Sequence, residues 1–210
     1  MAKTFNIAVV GATGAVGESM LETLAERRFP VGEVYALASE RSVGKTVEFG
    51  GRHLRVEDLA DFDFSQAQIG LFSAGGSISA EFAPKAAAAG CVVVDNTSQF
   101  RYDDEIPLVV PEVNAHAIAG YTKRNIIANP NCSTIQMLVA LAPIQRAAGI
   151  DRINVATYQS VSGAGASALR ELVEQTVDRL NFREPKLEKF TQPIAFNVLP
   201  QIDTMQDNGY

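Results

Sequence analysis

The stretch FNIAVVGATGAVGESMLETL (5–24) decides the fold. Its first six residues are an apolar run of the length of a buried parallel strand, closed by Gly11. Val16, Met20, Leu21 and Leu24 then recur at helical spacing, so a helix follows with almost no loop between. Gly11, Gly14 and Gly17 stand at the junction. In such a strand–turn–helix the first glycine allows the tight turn, and the second lets a pyrophosphate reach the backbone. The third lets helix and strand pack closely. Free N–H groups and the positive dipole end of the helix complete an anion cradle. Any tight turn can use glycine, so the spacing alone is weak. Its place, between an opening strand and a periodic helix, favours a dinucleotide over a merely structural turn.

The pattern continues outward from that unit. EVYALAS (33–39) reads as a second strand and QIGLFSAGG (68–76) as a third. An alanine-rich helix from about 79 to 89 stops at Gly90, and CVVVDN (91–96) is a fourth strand. LVVP (108–111) and NIIAN (125–129) extend the strand series. Alternating strands and helices predict an α/β fold with a doubly wound parallel sheet, Rossmann-like in plan.

Past Pro130 the character changes. A helix is expected from about 132 to 148, with Pro143 as a site for a kink. RINVATYQSVSG (152–163) alternates at Ile153, Val155 and Thr157 and reads as a long strand. Leu169, Leu172, Val173, Val177 and Leu180 mark an amphipathic helix. The stretch 181–210 is polar and proline-containing, with no clear closing element. The boundary is placed near 129, dividing the chain into 1–128 and 129–210.

Composition narrows the function. With 47% hydrophobic and 20% charged residues the chain is ordinary for a globular protein. A net charge of −6 argues against nucleic acid as a general partner. Cys91 and Cys132 stand in no cluster with metal-ligand spacing, so no metal is expected and free thiols in a reducing compartment are. The opening MAKTFNIAVVGATGAVG loosely imitates a signal peptide, but its early, regular glycines fit a strand and turn better. No apolar run approaches the roughly 18 residues of a membrane helix. No membrane partner is expected, and the expected compartment is the cytoplasm. NTS and NCS then match the glycosylation pattern by chance.

The second strand speaks to the cofactor. A site for NAD usually ends that strand in an acid that holds the ribose hydroxyls. Here ALASERSVGK offers Ser39, Arg41, Ser42 and Lys45, a cluster suited to a 2′-phosphate, which arginine grips through parallel hydrogen bonds. NADP is therefore expected, against a plain solvated loop that also contains Glu40.

NIIANPNCSTIQML (125–138) raises the question of chemistry. Cysteine is most often a buried, inert residue, and Cys91 inside a valine run fits that description. Cys132 instead sits between Asn131 and Ser133 where a helix begins, and helix N-termini favour thiolates. Asn131 could cap that helix or help hold an oxyanion. A nucleophilic thiol beside a nicotinamide implies thioester chemistry with aldehydes and acyl phosphates, which needs an anion site. Arg101, in DNTSQFR after a strand's carboxyl end, is the candidate; otherwise it would pair on the surface with Asp103 or Asp104.

Together GATGAVG, SERSVGK, SAGGSIS, DNTSQFR, NPNCST and YQSVSGAG resemble the bacterial type of aspartate-semialdehyde dehydrogenase. QPIAFNVLPQID (192–203) extends the likeness. The resemblance implies reduction of 4-aspartyl phosphate to L-aspartate 4-semialdehyde with NADPH, in the biosynthesis of lysine, diaminopimelate, threonine and methionine. It implies that Cys132 is the acyl-thioester nucleophile, Arg101 the phosphate-binding arginine and Gln159 a substrate contact. It assigns Thr13, Gly14, Ala15, Val16, Arg41, Ser42, Ser162 and Gly163 to NADP. It also implies a homo-oligomer, a dimer or tetramer, and makes 129–210 the opening of an α+β catalytic and dimerisation domain.

The family's general acid/base lies in a C-terminal Gly-His motif, preceded by a carboxylate-binding arginine, and neither His53 nor His116 matches it. The chain therefore reads as an N-terminal portion. The alternative is a truncated, non-catalytic nucleotide-binding or interaction module of the same family.

Overall fold

A computed structural model describes residues 3–200 and Asp207; the end of QPIAFNVLPQID, 201–203, lies outside the described residues. The chain divides into two compact units, 1–157 and 158–210.

The first unit is built on a seven-stranded sheet. Its strands are β1 (Phe5–Val10), β2 (Val31–Ala38), β3 (Thr46–Phe49), β4 (Arg52–Asp58), β5 (Ile69–Phe72), β6 (Val92–Asp95) and β7 (Ile126–Ala128). They lie in the order β3-β4-β2-β1-β5-β6-β7, parallel throughout except for the antiparallel edge pair β3–β4. The order turns back at β1, which lies between β2 and β5. Open sheets of this kind hold ligands in the crevice beyond the carboxyl ends of such a pair of strands.

Strand β1 has no solvent face. Ile7 and Val9 pack with Leu21, Val34, Ala36 and Val56 on one side, while Ala8 and Val10 pack with Leu37, Phe72 and Val93 on the other. A period of two places successive side chains on opposite faces, so an unbroken apolar run fills both layers. Helix α1 (Ala15–Glu26) covers the first layer with Leu21, and α2 (Gly76–Ala88) covers the second with Ala83 and Ala86. Burying Leu21 fully is worth about 2–3 kcal/mol.

Two expected strands are not formed. In 108–111 only Leu108 bridges Ala128, and Pro111 opens the four-residue helix α3 (Pro111–Asn114). Proline's fixed φ suits a first helical position and its missing N–H ends a ladder. Residues 152–160 carry no regular structure, and Ile153 and Val155 are exposed. The seven-stranded sheet includes no strand from this segment; alternation fixes which side chains share a face and does not place a segment in a sheet.

Helix α4 (Cys132–Ala148) forms as expected, with Pro143 inside it, yet none of its residues is fully buried. The second unit contains α5 (Ala166–Leu180) and the irregular segment after it. The expected amphipathic helix is present, but Val173, Val177 and Leu180 are exposed and the buried positions are Ala168, Glu171 and Gln175. The Glu171 carboxylate accepts the N–H groups of Glu188 (3.1 Å) and Lys189 (2.6 Å). The Gln175 carboxamide oxygen accepts those of Ile194 (2.8 Å) and Ala195 (3.2 Å). This polar pair latches the proline-containing strap to the helix.

Candidate active site

The β1–α1 turn is shaped by its glycines. Gly11 has φ +89°, and a β-carbon there would stand 3.0 Å from the Ala74 nitrogen in the β5–α2 loop. The N–H groups of Gly11 and Ala12 both donate to the Leu37 carbonyl of β2, at 2.9 and 3.1 Å. Gly14 caps α1 with extended dihedrals and no side-chain hydrogen bond. Thr13 is half-buried, while Ala15 and Val16 are exposed. The first turn of α1 therefore presents N–H donors to solvent at the crevice between β1 and β5, which fits a pyrophosphate. Glycine also keeps that approach open, because a side chain at Gly14 would project from the turn itself.

At the carboxyl end of β2, Ser39 precedes a single 3₁₀ turn, Glu40–Ser42. Ser39 and Arg41 are exposed and Ser42 is half-buried. No ion pair engages Arg41 among the described residues. The guanidinium is thus available to a 2′-phosphate at the strand end.

Arg101 is half-buried and makes no ion pair with Asp103 or Asp104; Asp103 and Glu105 face Arg124 instead. Its Nε donates to the Asn129 carbonyl (3.0 Å) and its Nη2 to the Asn96 carbonyl (3.2 Å). Those carbonyls follow β6 and β7, so the guanidinium sits at the carboxyl edge of the sheet.

Three residues after Asn129, Cys132 is the first residue of α4 and is exposed. Asn131 caps the helix, its carboxamide oxygen accepting the Ser133 N–H at 3.0 Å. The capping oxygen is committed, which leaves the Asn131 Nδ2 as the group able to face an oxyanion. An anion or thiolate at this position meets the positive end of a seventeen-residue helix. Cys91 differs in every respect: it has no exposed surface, and burial pushes its thiol up to about 12.

Gln159, Ser162 and Gly163 belong to the second unit. Gln159 is exposed just ahead of the 3₁₀ turn Val161–Ala164. The Ser162 hydroxyl bonds the Ser160 oxygen at 3.0 Å. A β-carbon on Gly163 would meet no atom within 4 Å. His53 lies in the β3–β4 edge hairpin opposite Glu48, and His116 in the 3₁₀ segment Ala115–Lys123. The sheet order sets His53 at the far edge from β7, which leads to Cys132.

Sequence reasoning passed over Asp95. This residue ends β6 with no exposed surface, and its carboxylate accepts hydroxyl hydrogen bonds from Ser79 (2.7 Å) and Thr97 (2.7 Å). The visible signal was an acid closing an otherwise apolar strand, VVVD.

No helix among the described residues is long and apolar enough to cross a membrane, and no cluster among them could hold a metal ion. Over its full length the chain is 63% identical to aspartate-semialdehyde dehydrogenase 2 of Vibrio cholerae and 62% identical to aspartate-semialdehyde dehydrogenase of Legionella pneumophila. It spans 62% and 60% of those proteins' lengths. A crystal structure of Vibrio cholerae aspartate semialdehyde dehydrogenase II complexed with ASA matches it with a TM-score of 0.97 and 62% identity, covering all of this chain and 62% of that one. Residues 6–121 match the family described as semialdehyde dehydrogenase, NAD binding domain, and residues 141–210 the one described as semialdehyde dehydrogenase, dimerisation domain. The chain belongs to the semialdehyde dehydrogenase family.

Proposed function

We propose that this chain carries the cofactor and nucleophile machinery of an aspartate-semialdehyde dehydrogenase, which reduces 4-aspartyl phosphate to L-aspartate 4-semialdehyde with NADPH. The observation that carries the reading is the pairing of an exposed cysteine at a long helix's first position with an arginine fixed to a carbonyl three residues earlier. A thiol nucleophile and a phosphate-sized anion site are the two things acyl-phosphate chemistry requires.

In the forward direction the Cys132 sulfur adds to the acyl carbon and the carbon–oxygen bond to phosphate breaks. Arg101 receives the departing phosphate, and a thioester is left on Cys132. The α4 N-terminus and Asn131 Nδ2 stabilise charge on the acyl oxygen while the bond order changes. The β1–α1 turn, Gly11 to Gly17, would hold the pyrophosphate of NADPH, and Ser39, Arg41 and Ser42 its 2′-phosphate. When bound, that cofactor supplies the hydride that takes the thioester to the aldehyde and frees the thiolate. Family resemblance assigns Gln159 to the substrate and Ser162 and Gly163 to the cofactor. It also makes residues 129–210 the opening of the second domain, the partner a second copy of the chain, and the compartment the cytoplasm.

His53 and His116 take no role in this scheme. General acid/base help is typically worth about 10²–10⁴-fold in rate, so the 210-residue chain is expected to acylate but to turn over slowly. The test is to incubate it with aspartate 4-semialdehyde and NADP without phosphate, then locate the adduct by mass spectrometry. An acyl adduct confined to Cys132 and absent from Cys132→Ser is expected. No adduct, or equal modification of Cys91, refutes the assignment.

A further inference from the structure

We propose that Asp95 is a positioning residue whose buried carboxylate, through Thr97 and Asn96, sets the loop that aims Arg101 at the substrate's anionic group. The inference rests on the reading of Arg101 as the phosphate-binding residue and concerns what holds it there.

The Asp95 side chain has no exposed surface and no cation against it among the described ion pairs. Three donors satisfy it: the Ser79 hydroxyl at Oδ1 (2.7 Å), the Thr97 hydroxyl at Oδ2 (2.7 Å) and the Thr97 N–H at Oδ1 (3.3 Å). Thr97 Oγ1 in turn accepts the Gln99 N–H at 3.2 Å, which orients the hydroxyl toward Asp95. The first turns of the loop from β6 to Arg101 are therefore tied to α2 through one carboxylate.

Both anchors of Arg101 adjoin Asp95, Asn96 along the chain and Asn129 through a backbone hydrogen bond. Asn96, next in the chain, accepts Arg101 Nη2 on its carbonyl, and its side-chain oxygen accepts Asn129 Nδ2. The Asn129 N–H donates to the Asp95 carbonyl at 2.8 Å, and the Asn129 carbonyl accepts Arg101 Nε. The guanidinium thus spends two donors on the carbonyls of Asn96 and Asn129. Asn96 lies between Asp95 and the Thr97 that the carboxylate holds, and its N–H donates to the Phe72 carbonyl (2.9 Å). Asn129 is held by the Asp95 backbone carbonyl. Nη1 has no acceptor among the described residues, which leaves it as a donor for the anion. A buried carboxylate adds little to stability compared with an apolar residue of its size, whereas a fully satisfied network specifies one geometry. Here that geometry is the direction of an arginine.

The experiment measures protection of Cys132 from iodoacetamide by inorganic phosphate on the 210-residue chain. Phosphate is expected to slow alkylation of the wild type, and Arg101→Ala is expected to abolish that protection. Asp95→Asn and Thr97→Val should each raise the phosphate concentration for half-protection about 10-fold, the size of one lost hydrogen bond to a charged group. Their alkylation rate without phosphate should match the wild type. Thr97→Ser, which keeps the hydroxyl, should restore protection. If Asp95→Asn does not fold, the Thr97 pair decides alone. Loss in Arg101→Ala with unchanged half-protection in Thr97→Val overturns the positioning role, as does a Thr97→Ser as weak as Thr97→Val. Full protection in Arg101→Ala overturns the underlying reading of Arg101 itself.

Discussion

A β-carbon built on Gly17 would stand 2.2 Å from the carbonyl oxygen of Gly11. It would also lie 2.8 Å from the Ala12 α-carbon, so both obstacles are backbone. Gly17→Ala should therefore cost about 1–3 kcal/mol as the helix is pushed off the strand. At Gly14 the same carbon would be 3.4 Å from the Gly11 oxygen, an ordinary contact, and φ there is −93°. Gly14→Ala should stay within about 1 kcal/mol of the wild type. It should nonetheless bind NADPH more weakly, because the added methyl occupies the phosphate's approach. Urea unfolding with NADPH fluorescence titration separates the two effects; loss of stability at position 14 with intact binding would contradict this account.

Arg41 offers a cleaner view of cofactor choice. Its exposed side chain lies in the turn that follows β2, and the proposed function assigns it to the 2′-phosphate. Arg41→Ala should weaken NADPH binding about 10-fold or more and leave NADH binding unchanged. Equal NADPH affinity in the variant would remove the case for phosphate recognition at that strand.

The two thiols should respond differently to alkaline pH. Cys91 is raised by burial from 9.0 to about 12, so the unfolded chain releases this proton first as pH rises. Its contribution is intact below pH 9.0 and is lost as pH climbs toward 12. Over that window stability should fall by up to about 1.4 kcal/mol per pH unit from this group. Cys91→Ala should flatten that part of the curve, at some cost in packing at neutral pH. Chemical denaturation between pH 8 and 11 is the measurement, and an unchanged slope in the variant would speak against a buried neutral thiol.

The latch on α5 should control the strap after it. Glu171→Ala leaves the N–H groups of Glu188 and Lys189 without their acceptor. Glu188 and Lys189 are exposed, so water can take the place of the lost acceptor and the cost should be about 1 kcal/mol or less, felt first by the strap. Faster hydrogen exchange at residues 188, 189, 194 and 195 is expected, with the β-sheet amides of the first unit unaffected. Unaltered exchange at those four positions would show that Glu171 does not hold the strap.

What could be read from residues alone follows from which constraints are local. The glycine turn was legible because a positive φ at Gly11 and a close approach at Gly17 exclude side chains whatever surrounds them. The start of α4 was legible because Asn131 carries its own capping group. The segment 152–163 was misread because alternation describes which side chains share a face and does not place the segment in the sheet, whose seven strands do not include it. LVVP was misread because the bridge at Leu108 depends on β7, far along the chain. The buried face of α5 was not legible at all. Glu171 and Gln175 look like surface residues until the strap's backbone is placed over them. Asp95 escaped for a similar reason, since its meaning comes from Ser79, sixteen residues earlier.

The double-sided burial of β1 restricts how this segment can change over generations. Losing or gaining one residue between positions 7 and 10 would send Ile7 and Val9 into the layer built for Ala8 and Val10, and the smaller pair into the other. Both layers would be mispacked by a single event, so exchange of similar-sized side chains should be tolerated here far better than an insertion or deletion. A deep mutational scan should show four adjacent positions of equal intolerance, with no permissive site among them.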